Sequence, residues 1–189
     1  MIFKKQITNS KLNEEDAVMV LQQGSAEAFS LLYNSYAPKI YRFCLRMLGD
    51  EQKAADAFQE TFMRVYESRT AFNGQNFGAW VFKIAHNNCL NLIRLEKKEL
   101  LQFDEEIHLG KTDRNIEEVG LKEQLEKAIA LLPMPLREAL LLREYEDFSY
   151  QEIADTLNIE LSLAKVRVHR ARLFLRNLLK PIVQELNES

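Results

Sequence analysis

From Leu161 to Lys180 the chain carries six Lys or Arg, one His and no Asp or Glu, in a protein whose formal net charge is -3. Positive charge sorted onto one segment of an acidic protein points at a polyanion. Advancing about 100° per residue places Ala164, Val168, Ala171, Leu175 and Leu178 on one stripe that must pack against the rest of its domain. The opposite face is then fixed as Ser162, Lys165, Val166, His169 and Arg170, with Arg167 and Arg172 on the flanks and Arg176 a turn later. If this is the second helix of a helix-turn-helix, its N-terminal part enters the major groove. Ser162, Lys165, Val166 and His169 then meet base edges, and the later arginines, Arg170 and Arg172 among them, grip phosphates. The bland alternative is the solvated basic face of an ordinary helical bundle.

The residues just before this segment are those that would position it. Ser149 and Glu152 have the spacing of a capping box, in which each side chain satisfies a free backbone N–H of the other at a helix start. Ile153 and Leu157, four apart, face inward, and Ala154 is small enough for a second helix to cross closely. Asn158 takes the turn position usually held by Gly, since Asn tolerates left-handed backbone angles. Ile159 plugs the corner. A first helix, a tight turn and a basic second helix together read as helix-turn-helix.

A second stripe lies earlier. Trp80, Lys83, Asn87, Asn91, Arg94 and Lys98 recur at spacings of three and four and line one face, while Val81, Ile84, Ala85 and Leu92 occupy another. Aromatic, amide and cationic groups in one line suit unpaired bases: Trp offers a stacking surface, Asn reads base edges, and Lys or Arg neutralises phosphates. Trp80 alone would serve equally as core. Asn87 and Asn91 are poor helix formers with little reason to sit on a purely structural helix. A third cluster, Asp56, Gln59 and Glu60, shares one face of the preceding helix, with Phe58, Phe62 and Val65 turned to the core. Periodicity locates that face without naming its partner.

Other chemistries are weakly represented. Glu105-Glu106-Ile107-His108 contains one Glu-x-x-His, whereas a carboxylate-bridged di-iron bundle needs two plus further carboxylates on facing helices. No metal, cofactor or catalytic residue is assigned, and the protein is not expected to be an enzyme. Cys44 and Cys89 sit in apolar helical patterns and read as buried free thiols. No apolar run reaches the roughly 20 residues needed to span a bilayer, so no membrane insertion is expected. The N-terminus, Met1-Ile2-Phe3-Lys4-Lys5-Gln6, lacks the apolar core of a signal peptide, which points to a cytoplasmic protein.

The elements around these residues read as helix throughout, and the fold class is all-α. Asn13 caps a short helix from Glu14 to Gln22, broken by Gly24-Ser25. A long helix follows from Ala26 to Leu48, with a bend expected at Pro38 and an end at Gly49. Asp50 caps a third helix to about Ser68, and a fourth runs from Phe77 to about Lys98. Residues 99–118 form an acidic linker, in which Leu100, Leu101, Phe103 and Ile107 are apolar enough to dock on something. The chain thus divides into a first domain of residues 1–98, the linker 99–118, and a helix-turn-helix domain of residues 119–189.

These motifs, in this order, resemble the extracytoplasmic-function sigma factors, the compact class of the sigma-70 superfamily of bacterial transcription initiation factors. Asp56-Ala57-Phe58-Gln59-Glu60-Thr61-Phe62 resembles the region 2 motif that grips the clamp helices of the polymerase β′ subunit. Trp80 with Ala85 to Arg94 resembles the pattern that melts the −10 element and holds its non-template strand. Leu131-Leu132-Pro133 through Arg137, followed by Tyr150-Gln151-Glu152-Ile153-Ala154, resembles region 4, which binds the −35 duplex and touches the β flap. The resemblance implies core RNA polymerase, promoter DNA and an anti-sigma factor wedged between the domains as partners. It departs from the family at Glu160, Ser162 and Val166, where a serine cap, a glycine and a serine are customary. The start of the recognition helix is therefore open between Glu160 and Ser162. Asn91 replaces the usual Asp. The rival reading is a two-domain helix-turn-helix regulator that does not act as a sigma subunit.

Overall fold

The structure, a computed structural model, describes residues 13–72, 76–103 and 121–188. Within them the chain forms eight α-helices and no strand. Short polar side chains set the first four helix starts. Asn13 Oδ1 accepts from the Asp16 N–H at 2.8 Å to open α1 (Glu14–Leu21). Ser25 Oγ accepts from Ala28 N–H at 3.2 Å for α2 (Ala26–Leu48), and Asp50 from Lys53 N–H at 2.8 Å for α3 (Glu51–Glu67). Asn76 Oδ1 accepts from Ala79 N–H at 2.9 Å to begin α4 (Phe77–Phe103). Each cap satisfies a backbone donor that a helix start leaves free, an effect of about 1 kcal/mol. α2 runs through Pro38 and closes at Gly49, whose φ of 68° is left-handed.

α4 passes the expected end near Lys98 and continues to Phe103. Leu95-Glu96-Lys97-Lys98-Glu99-Leu100-Leu101 is composed of strong helix formers, with no Gly or Pro to stop propagation. The rest of the acidic linker, including Ile107 and the Glu105–His108 motif, lies outside the described residues, as do the N-terminal residues before Asn13.

In the first group of helices, α2 packs on α3 and α4. Leu32, Ile40, Phe43 and Met47 meet Ala54, Phe62 and Val65 of α3 and Val81, Phe82 and Ala85 of α4, all buried. Edge-to-face ring pairs lock the contacts, Tyr33 with Phe62 at 4.6 Å and Phe43 with Phe82 at 5.4 Å. The second group comprises α5 (Leu121–Ala130), α6 (Met134–Glu144), α7 (Tyr150–Leu157) and α8 (Leu161–Glu188). Arg137 closes the α5–α6 turn: its guanidinium donates to the carbonyls of Ala130 and of Leu132, the latter at 3.2 Å.

The same guanidinium reaches the first group, donating to the carbonyl of Met47 at 3.1 Å. Arg46 forms a two-pronged pair with Glu126, at 2.7 Å for its shortest contact, and lies 3.9 Å over the ring of Tyr145. The buried apolar side chains of the two groups are continuous. Two small helical domains are therefore docked along α2 and α4 rather than merely tethered.

Candidate nucleic-acid interface

The helix-turn-helix is built by local hydrogen bonds. Glu152 N–H donates to Ser149 Oγ at 3.2 Å, and Ser149 N–H donates to Glu152 Oε2 at 2.7 Å, completing the capping box at the start of α7. Asn158 ends α7 with φ 53° and ψ 53°, and the next residue, Ile159, donates its N–H to Ala154 C=O at 2.9 Å. Left-handed backbone at a non-Gly residue is accessible to Asn because its short polar side chain tolerates it. The N–H of Ala164 donates to Glu160 C=O at 3.0 Å, so the helical ladder of α8 begins there and Ser162 lies in its first turn. α8 therefore starts at Leu161, directly after Glu160.

On α8, Ala164, Val168 and Ala171 are fully buried and Leu175 half-buried. Leu178, expected on the same packed stripe, is exposed at 37%. At 28 residues α8 is about 42 Å long, whereas the helices packed on it, α5, α6 and α7, of 10, 11 and 8 residues, span only about 15, 16 and 12 Å, so its later turns outrun them. Ser162, Lys165, Val166, His169, Arg170 and Arg172 are all exposed. Arg172 is held on the surface by Glu144, its Nε and Nη2 donating to Oε1 at 2.9 and 2.5 Å, and that bond raises its pKa. Arg167 turns inward and donates to Glu138 Oε1 at 2.8 Å. Sequence reasoning passed over Glu138, which is 7% exposed. Its signal was present: it shares a helical stripe with the buried Leu141 and Leu142, and a carboxylate in such a stripe needs a cationic partner.

On α4, Lys83, Asn87, Asn91 and Arg94 are exposed along one face. Trp80 is half-buried, its ring 5.0 Å from that of Phe72 and 5.7 Å from that of Phe77, so it is shared between core and surface. Asn88 has a different task. Buried at 4% exposure, its amide donates to Thr61 Oγ1 at 3.1 Å, and that hydroxyl donates to Ala57 C=O at 2.6 Å, tying α4 to α3. Asp56 and Gln59 are exposed on α3, with Glu60 half-buried and held by Arg64 at 2.5 Å. A groove of about 680 Å³ runs between the two helices, with Asp56 and Glu60 on one wall and Asn91 and Arg94 on the other, over Ala57, Leu92 and Leu95. Two faces that periodicity treats separately are thus neighbours.

The thiols offer no competing chemistry. Cys44 and Cys89 are both buried, and a hydrogen bond from the Cys89 thiol to Cys44 together with burial pushes the Cys89 thiol up, keeping it in the unreactive protonated form. Among the described residues no three His, Cys, Asp or Glu side chains are grouped to hold a metal ion, and no helix is long and apolar enough to cross a membrane.

Comparison with known proteins agrees with this arrangement. The Sigma-70 region 2 family matches residues 32–99, and the Sigma-70 region 4 family matches residues 122–175. The RNA polymerase sigma-H factor of Pseudomonas aeruginosa is 32% identical over 188 residues, covering 91% of this chain and 97% of that protein. The ECF RNA polymerase sigma factor SigW of Bacillus subtilis is 28% identical over 176 residues, covering 86% and 94%. Among solved structures, the sigma factor RpoE from Bartonella quintana, in complex with the anti-sigma factor NepR, superposes with a TM-score of 0.71 at 26% identity, covering 82% of this chain and 98% of that one. The chain belongs to the extracytoplasmic-function class of RNA polymerase sigma factors. Its function is accordingly that of an alternative sigma factor in transcription initiation, in preference to a regulator that works apart from polymerase.

Proposed function

We propose that this sigma factor divides its work between two helical surfaces and performs no bond chemistry of its own. The exposed face of α8 reads the −35 duplex through Ser162, Lys165, Val166 and His169, with Arg170 and Arg172 on phosphates. The face of α4 formed by Trp80, Lys83, Asn87, Asn91 and Arg94 holds the unpaired −10 strand. Asp56, Gln59 and Glu60 meet the β′ clamp helices of core polymerase, and the second domain touches the β flap. Binding energy gained by trapping bases as they leave the stack offsets the cost of unpairing them.

The observation that carries this reading is the sorting of α8, whose small residues Ala164, Val168 and Ala171 are fully buried while its cations Lys165 and Arg170 are exposed. Val166, exposed at 41%, offers a methyl-bearing contact for thymine where a hydroxyl would offer a hydrogen bond. The acidic charge balance fits a factor that engages promoters in the cytoplasm only when polymerase delivers it. An anti-sigma factor, as in the Bartonella complex, is the expected inhibitor. Run-off transcription with core RNA polymerase on a promoter library tests the whole: specific starts are expected, and a chain that core enzyme ignores would defeat it.

A further inference from the structure

The ring of Trp80 lies in a nest of aromatic side chains, and α1 fastens that nest at two points. Phe72, which ends the 3-10 turn Arg69–Ala71, stands 5.0 Å from Trp80, and Phe77, in the first turn of α4, stands 5.7 Å away. Phe72 and Phe77 meet each other edge to face at 5.6 Å. Both are buried, whereas Trp80 is half-buried and keeps part of its ring at the surface. A half-open ring whose angle is set by two buried neighbours is a stacking platform fixed before a base arrives, which lowers the entropy cost of binding.

At the C-terminal end of α1, the Gln22 amide donates to the carbonyl of Phe72, 50 positions away. At the N-terminal end, the Glu14 carboxylate accepts from the hydroxyl of Tyr36 on α2, whose ring stands edge to face with Phe77 at 5.3 Å. Burial, together with the bond to Glu14, pushes the pKa of the Tyr36 hydroxyl up, so it remains a donor. Tyr36 is also pressed against the start of α4: a methyl group on Gly78 would lie 3.3 Å from its ring and from its oxygen. α1 packs into the core through Ala17 and Leu21, both fully buried. Glu14 and Gln22 have no part in that packing; their bonds lead to the two rings that flank Trp80.

We propose that Glu14 and Gln22 are positioning residues for promoter melting: through Tyr36 and Phe77 on one side and Phe72 on the other, α1 sets the Trp80 ring at the angle that receives an unpaired base. This role rests on the assignment of the α4 face to the unpaired strand. It gives α1 a task in initiation although none of its residues belongs to the faces assigned to DNA or polymerase.

Trp80 is the sole tryptophan, so selectively excited intrinsic fluorescence of the full chain reports on its ring alone. Gln22→Glu keeps the size and removes the donor. Tyr36→Phe keeps the ring and removes the hydroxyl, and Glu14→Ala removes the same bond from the other side. Helical circular dichroism is expected to stay unchanged in all three, while the anisotropy of Trp80 falls and its quenching by acrylamide rises. Run-off transcription with core polymerase, on a promoter recovered from the library, is expected to fall about threefold in each, the scale of one hydrogen bond. In a Trp80→Ala background the same substitutions are expected to cost nothing further, and Trp80→Leu serves as a second background that keeps the nest filled. Unaltered Trp80 fluorescence in the variants overturns the inference, as does altered fluorescence with undiminished initiation. So does an equal loss in the backgrounds that lack Trp80, which is what general destabilisation would give. Trp80→Ala initiating as well as wild type would instead remove the α4 face from strand holding, and this role with it.

Discussion

The ring of Phe82 on α4 stands 5.3 Å from the ring of Phe148, just before α7, at an interplanar angle of 76°. Both are buried, at 1% and 7% exposure, yet they belong to different domains. An edge-to-face aromatic pair adds roughly 1 kcal/mol beyond the area it buries. With Arg46–Glu126 and Arg137 reaching Met47, this contact makes the domain seam an ordered packing surface.

The buried carboxylate is the most sensitive point of that seam. Glu138→Ala removes the partner of both Arg167 and His86 and is expected to destabilise the chain by about 3–5 kcal/mol. Urea unfolding of wild type and variant measures this directly. A shift under 1 kcal/mol, about the scale of an exposed ion pair, would mean that solvent reaches Arg167 freely.

The turn of the helix-turn-helix rests on one backbone conformation. Because Asn158 has φ 53°, Asn158→Ala is expected to cost about 1–2 kcal/mol, while Asn158→Gly is neutral or slightly stabilising. Thermal melts separate the two. Equal loss in both variants would place the contribution in the Asn side chain instead of the backbone.

Stability should depend on pH through Glu146. Burial pushes its carboxyl from the ordinary 4.5 up to about 7, against the opposing pull of Lys39, Arg42 and Arg46, while Asp147 raises it further. The folded chain then binds this proton more tightly than the unfolded chain. The contribution is fully present below about pH 4.5 and is lost as pH rises through about 7, and because Glu146 is only partly buried, solvent screening keeps it small. Urea midpoints across that range should fall with pH in wild type and fall less in Glu146→Gln; identical slopes would remove Glu146 as the source.

Promoter contacts should respond in a graded way. Lys165→Ala or Arg170→Ala is expected to weaken initiation by about 1–3 kcal/mol of DNA contact. Arg172→Ala should cost less, since Glu144 already occupies that guanidinium. Run-off transcription on a single promoter ranks the three, and unchanged promoter strength would remove a residue from the interface.

On α3, Asp56→Arg with Glu60→Arg is expected to abolish association with core polymerase while circular dichroism stays unchanged. Asp56 is exposed, and among the described residues Glu60 pairs within its own helix, with Arg64. Retained co-purification with core enzyme would defeat the assignment.

Much of this was legible before any tertiary contact was known, because it is local. The capping box at Ser149 and Glu152, the left-handed turn at Asn158 and the caps at Asn13 and Asp50 depend on residues a few positions apart, and short-range sterics and hydrogen bonding decide them. The periodicity of α8 likewise named its buried stripe as far as Leu175. It failed at Leu178, since periodicity records which face is apolar but not where the neighbouring helices end.

What the tertiary structure alone decided is how the two helical groups meet. No sequence spacing links His86 to Glu138, Phe82 to Phe148 or Arg46 to Glu126, which lie 52, 66 and 80 positions apart. Nor does spacing show that Asp56 and Asn91 face across one groove, that Trp80 is wedged against Phe72, or that Arg167 turns inward while Arg170 stays in water. Local rules act over one or two turns of helix. These choices are made by packing between segments distant along the chain, where each side chain's fate depends on what arrives opposite it.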